Sequence, residues 1–221
     1  MKKEKTGGGE GPGKAVNEER TAEKAKAGKT GKAGGRGREA LLHASLSALF
    51  AALIAVGAML SLPAGDVKFT FQLLAVLLAA GLLPVYDCAA AVFVYILLGA
   101  FGLPVFAGFT GGVGVLTGPT GGFVLGFLPA VLAVRLLLAL LGKTRVPRFP
   151  KLCAAFVSGV LVCYLCGLAV MCAYYPEKGL LFALQAAILP YLPFDALKVL
   201  CAALIVDRVG PHLDKLLGKK R

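Results

Sequence analysis

Polar and apolar positions along this chain fall into long blocks instead of alternating. Beyond Arg38 and Glu39 the apolar blocks lie at about 41–62, 69–85, 88–102, 119–141, 152–174 and 189–207. A helix needs roughly 20 residues to cross the hydrocarbon of a bilayer, so the second and third blocks are short and the others suffice. The two-residue alternation of barrel strands is absent, and a helix satisfies its own backbone in lipid. The pattern predicts an all-α membrane protein with six transmembrane helices.

Charge sharpens this picture. Of the 221 residues 57% are hydrophobic and 16% charged, a combination rare in soluble domains. Lys and Arg gather in residues 1–40, in the connection carrying Lys143, Arg145, Arg148 and Lys151, and in the tail from Arg208 to Arg221. Six spans place all three on one side, which the positive-inside tendency makes the cytoplasm. Three parts follow: a disordered basic cytoplasmic tail (1–40), a six-helix membrane domain (41–208) and a short basic cytoplasmic tail (209–221). Residues 1–40 hold eleven Lys/Arg, six Glu and no aromatic residue, too little apolar surface to offset ordering. Lacking an apolar stretch, they also predict no cleavable signal peptide. Attraction to anionic lipid accounts for the basic tails, and no nucleic-acid partner is expected.

Chemistry of the enzymatic kind finds little support. "GKT" at 28–30 and at 142–144 lacks the glycine five positions earlier that a phosphate loop requires, since Glu23 and Leu137 stand there. Neither hydrolysis nor a resident cofactor or metal is expected. Cys163 and Cys166 have CxxC spacing, but no second CxxC or His accompanies them, so the six cysteines read as small apolar fillers.

Three stretches stand out. In "LPFDALKVL" (192–200), Asp195 and Lys198 are three apart and share a helix face. Charges inside a span usually pair and face a pathway or cavity, although a structural ion pair pinning two helices is the competing reading. Pro190 and Pro193 constrain the helix start, about two turns before the pair, with Tyr191 between them as a further binding candidate. "GLPVFAGFTGGVGVLTGPTGGFVLGF" (102–127) holds nine glycines and two prolines with almost no charge. Such backbone at membrane depth either lines a cavity, with Thr110, Gly111, Gly112, Gly121 and Gly122 near a ligand, or lets helices touch. Gln72, beside Phe69 and Phe71, is either a lone hydrogen-bonding group at a site or an interfacial side chain. On the first span Ala44, Ala48 and Ala52 form a smooth row suited to close packing, either within the bundle or against another membrane subunit.

"FTFQ" (69–72), "GLPVFAG" (102–108), "GPTGGF" (118–123) and "LPFDALK" (192–198), in this order within a six-span chain, resemble the BioY family. Its members are biotin-specific S components of energy-coupling factor (ECF) transporters. The resemblance covers roughly residues 41–208. It implies that biotin is captured from outside, and that a transmembrane coupling subunit and two cytoplasmic ATPases supply the energy. By the same resemblance Asp195 and Lys198 face the ureido head group, Gln72 and Thr110 contribute polar contacts, and Ala48 and Ala52 dock on the coupling subunit. Val124 stands where some members have Arg, which leaves the backbone N–H groups of 111–122 as the expected partner of the biotin carboxylate. An S component for another vitamin, a proton-coupled secondary transporter relaying through Asp195, and a membrane scaffold without ligand are the rival readings.

Overall fold

The computed structural model describes residues 37–62 and 69–216. The chain divides into two compact units, residues 1–42 and 43–221. Of the expected basic tail, residues 1–36 lie outside the described residues, as do 217–221. Residues 37–40 are helical instead of disordered, because helix α1 (Gly37–Met59) begins ahead of the first apolar run.

In the second unit α1 continues to Met59 and leads into a two-residue antiparallel ladder. Strand β1 (Ser61–Leu62) pairs with β2 (Phe69–Thr70), Ser61 opposite Thr70. Then follow α2 (Gln72–Leu82), α3 (Val85–Ala100), α4 (Val113–Thr117), α5 (Gly121–Leu141), α6 (Arg148–Tyr174), α7 (Gly179–Ala187) and α8 (Leu192–Leu216). The six expected spans correspond to α1, α2, α3, α5, α6 and α8.

Differences arise where proline and glycine act. Pro84 lacks an N–H and pushes Leu83 into extended geometry (ψ 156°), so the second and third runs become helices of only 11 and 16 residues. Helices α1, α5 and α6 are each long and apolar enough to cross a bilayer, and α7 with α8 makes a further candidate bent by 53°. Residues 175–190, expected as a connection, contain α7. The last helix starts at Leu192, so Asp195 sits in its first turn instead of two turns in. There it complements the positive end of the helix. At the other end α8 runs on to Leu216, into the segment expected to be a tail.

One face of α1 (Ser47, Phe50, Ala51, Ile54 and Ala58) is buried, at the three- and four-residue spacing of a helix packed on one side. His43 on α1 pairs with Asp87 in the first turn of α3. Helices α5 and α6 pack along most of their length, and α2 lies on α8. All six cysteines are free.

Candidate ligand-binding site

Asp195 and Lys198 are among the few buried polar side chains, at 6% and 7% exposure. Lys198 Nζ donates to Asp195 Oδ1 at 2.7 Å, and the Tyr164 hydroxyl of α6 donates to Asp195 Oδ2 at 2.5 Å. Both carboxylate oxygens therefore have a donor, which offsets the cost of removing the charge from water. Lys198 Nζ also lies 4.3 Å from the centroid of the Phe69 ring, a cation–π contact from β2. Phe194 stacks edge-on against the same ring at 4.8 Å.

The pair opens onto a cavity of about 210 Å³. Gln72, Thr110, Tyr164, Tyr191, Asp195 and Lys198 line it together with Thr70 and Thr120. Much of the remaining wall is apolar, from Leu73, Phe106, Val115, Phe123, Val124 and Phe127. A small apolar chamber with convergent polar groups is the usual form of a ligand site between helices. Gln72 Nε2 donates to the Tyr95 hydroxyl at 2.6 Å, which fixes the amide at the start of α2.

The wall between α3 and α4 is built from a tight turn. Phe106 N–H donates to Thr110 O at 2.9 Å and Thr110 N–H returns to Phe106 O at 3.4 Å. Gly108 (φ 76°) and Phe109 (φ 59°) adopt the left-handed region that closes the turn. The buried Phe106 ring anchors it, seated so closely on Gly99 of α3 that a Cβ there would collide with the ring. Tyr95 meets the ring edge-on at 5.5 Å.

Five of the residues expected from sequence, Asp195, Lys198, Gln72, Thr110 and Tyr191, are thus brought to one cavity. Gly111, Gly112, Gly121 and Gly122 are not part of its lining. They serve close backbone packing and turn geometry. A Cβ on Gly111 would run into Leu103 O, one on Gly121 into Leu116 O, and one on Gly122 would lie 2.5 Å from Cys166 O. Gly112 has φ 94°, and its N–H already donates to Gly99 O, as that of Gly121 does to Gly118 O. Ala48 and Ala52 are exposed on the face of α1 opposite its buried one. Sequence reasoning missed Tyr164 and the Phe69 ring contact. A hydroxyl in the middle of an apolar span is a weak signal for Tyr164, and nothing in the sequence joins it to Asp195.

A helical membrane protein that buries an ion pair beside a ligand-sized chamber belongs to the class of membrane substrate-binding proteins. The model of the BioY family matches residues 32–215, and the chain belongs to that family. It is 39% identical over 161 residues to the biotin transporter BioY of Thermotoga maritima, covering 73% of this chain and 91% of that one. With the probable biotin transporter BioY of Pyrococcus horikoshii it shares 35% over 165 residues, covering 75% and 94%. A crystal structure of the S-component for biotin from an ECF-type ABC transporter matches with a TM-score of 0.71 at 25% identity, covering 78% of this chain and 92% of that one. The chain is therefore a multi-pass membrane protein with the S-component fold.

Proposed function

We propose that this chain binds biotin and mediates its uptake as the S component of an ATP-driven ECF transporter. The buried Asp195–Lys198 pair, facing the cavity and tied to Tyr164, is the observation that carries the reading. A ureido ring presents two N–H donors and one C=O acceptor. A carboxylate has about four acceptor sites, so Asp195 can take ureido N–H groups beyond its two internal donors. Lys198 has three N–H groups and uses one on Asp195, leaving others for the ureido carbonyl. The apolar wall suits the sulfur-containing ring and the aliphatic chain. The relatives, biotin transporters and an S-component for biotin, support the same ligand.

For the biotin carboxylate, the expected backbone of 111–122 narrows to the start of α5, since the N–H groups of Gly112 and Gly121 already donate to backbone carbonyls. Thr120 caps that 21-residue helix, lines the cavity and makes no capping bond with its side chain. Its hydroxyl and the helix dipole favour an anion there. The partners in this reading are a transmembrane coupling subunit, which meets Ala48 and Ala52, and two cytoplasmic ATPases. The protein sits in the cell membrane with both termini cytoplasmic, and biotin enters from outside.

Uptake into proteoliposomes tests the scheme. Biotin should accumulate only when the coupling subunit, the ATPases and ATP are supplied. Accumulation driven by a proton gradient with this chain alone would overturn the S-component mechanism in favour of a secondary transporter.

A further inference from the structure

A second cavity, of about 650 Å³, lies away from the ligand site and shares no residue with it. Arg135 of α5 and Arg148 and Lys151 of the first turn of α6 line it, beside the apolar or small Gly81, Leu138 and Leu152. No carboxylate is part of that lining among the described residues. Asp207 of α8 meets Arg148 at 3.5 Å, but both groups are about one-third exposed, so solvent weakens the pair. Lys151 Nζ donates to a neutral acceptor, Thr144 O, at 2.8 Å.

Arg135 is the informative member. Its Nη1 makes a long contact of 3.4 Å to Ala80 O. Its Nε is buried without an acceptor, the one such side-chain atom among the described residues. The protein thus satisfies this guanidinium only in part, and the remaining N–H groups of a residue that lines the cavity favour an anion there. The start of α6 adds to the demand: the 27-residue helix has no acid in its first turn and no side-chain cap.

We propose that this cavity is a site for a phosphate-bearing anion, with the headgroup of an anionic phospholipid as its occupant. Guanidinium groups match phosphate oxygens in geometry, and the apolar part of the lining suits the glycerol end of a lipid. Basic pockets between membrane helices at the positively charged side bind such headgroups.

Native mass spectrometry of the purified full chain in non-ionic detergent tests this, with short-chain phosphatidylglycerol, phosphatidylcholine and glycerol phosphate as probes. One phosphatidylglycerol should be retained, phosphatidylcholine should not, and R135Q and K151Q should each weaken retention about fivefold. Circular dichroism verifies that the variants are folded. Lys151 donates to Thr144 O at the exposed end of the cavity, so its variant remains informative even where the Arg135 change destabilises the bundle. Displacement by an equal concentration of glycerol phosphate would keep the phosphate site but overturn the lipid as occupant. Equal retention of both lipids, or unchanged retention in both variants, would overturn the site itself.

Discussion

Asp195 accepts from Lys198 through one oxygen and from Tyr164 through the other, so the three side chains act as one unit across α6 and α8. Removing the charge while keeping the shape isolates its role. Asp195→Asn should weaken biotin binding by about 3 kcal/mol, on the order of 100-fold, with helix content retained. Tyr164→Phe, which removes one hydrogen bond, should cost about 1 kcal/mol or roughly fivefold. Isothermal titration measures both, and a purely structural ion pair would instead lower the folded fraction while the molecules that remain folded bind as the wild type does. Val124 gives a complementary gain. It lines the cavity at the position where some members of the family have Arg, so Val124→Arg should raise affinity for biotin but not for its methyl ester. Equal effects on acid and ester would place the carboxylate elsewhere. Asp195 and Lys198 were legible from the sequence because opposite charges three apart in an apolar run are too costly to be incidental. Tyr164 was not, since it lies 31 residues from Asp195 and only packing of α6 on α8 joins them. The glycines stayed ambiguous for a related reason: residue type alone does not separate backbone that approaches a ligand from backbone that approaches another helix.

Among the elements, the turn at 106–110 shows how a glycine-rich connection acquires a fixed shape. Its anchor is a bulky ring seated on a residue without a side chain, Phe106 on Gly99. Gly99→Leu should displace the ring and loosen the turn, at a stability cost of about 3 kcal/mol, the value of a lost core aromatic contact, and ligand affinity should fall with it. Limited proteolysis with and without biotin reads this directly: the variant should be cut near Phe109, and the wild-type chain protected. Cleavage at the same rate in both would show that the ring does not hold the turn. Long apolar helices were legible because hydropathy alone specifies them. Helices α4 and α7 were not, being short and embedded in segments whose glycines and prolines read as connections. The late start of α8, at Leu192, was hidden in the same way, since the apolar run continues through the turn at 188–191.

For the whole molecule, the two ends of the bundle divide the labour proposed for it. One holds the ligand chamber, with its charged pair and anchored turn; the other carries the basic cavity and the connection between α5 and α6. The exposed alanine row on α1 faces away from the buried side of that helix, so it is free to meet a second membrane protein. Replacing Ala48 and Ala52 by Leu should abolish co-purification with the coupling subunit and leave biotin affinity within about twofold, since neither residue lines the cavity. Loss of both properties together would mean that the row packs within this chain. Whether the cavity beside Asp195 and Lys198 is a biotin site is decided by calorimetric titration of biotin into the purified protein in detergent. Saturable one-to-one binding tighter than about 1 μM, equivalent to about −8 kcal/mol, is expected, strongly weakened in the Asp195→Asn variant. Absence of binding in that range, or the same affinity in wild type and variant, would contradict the assignment.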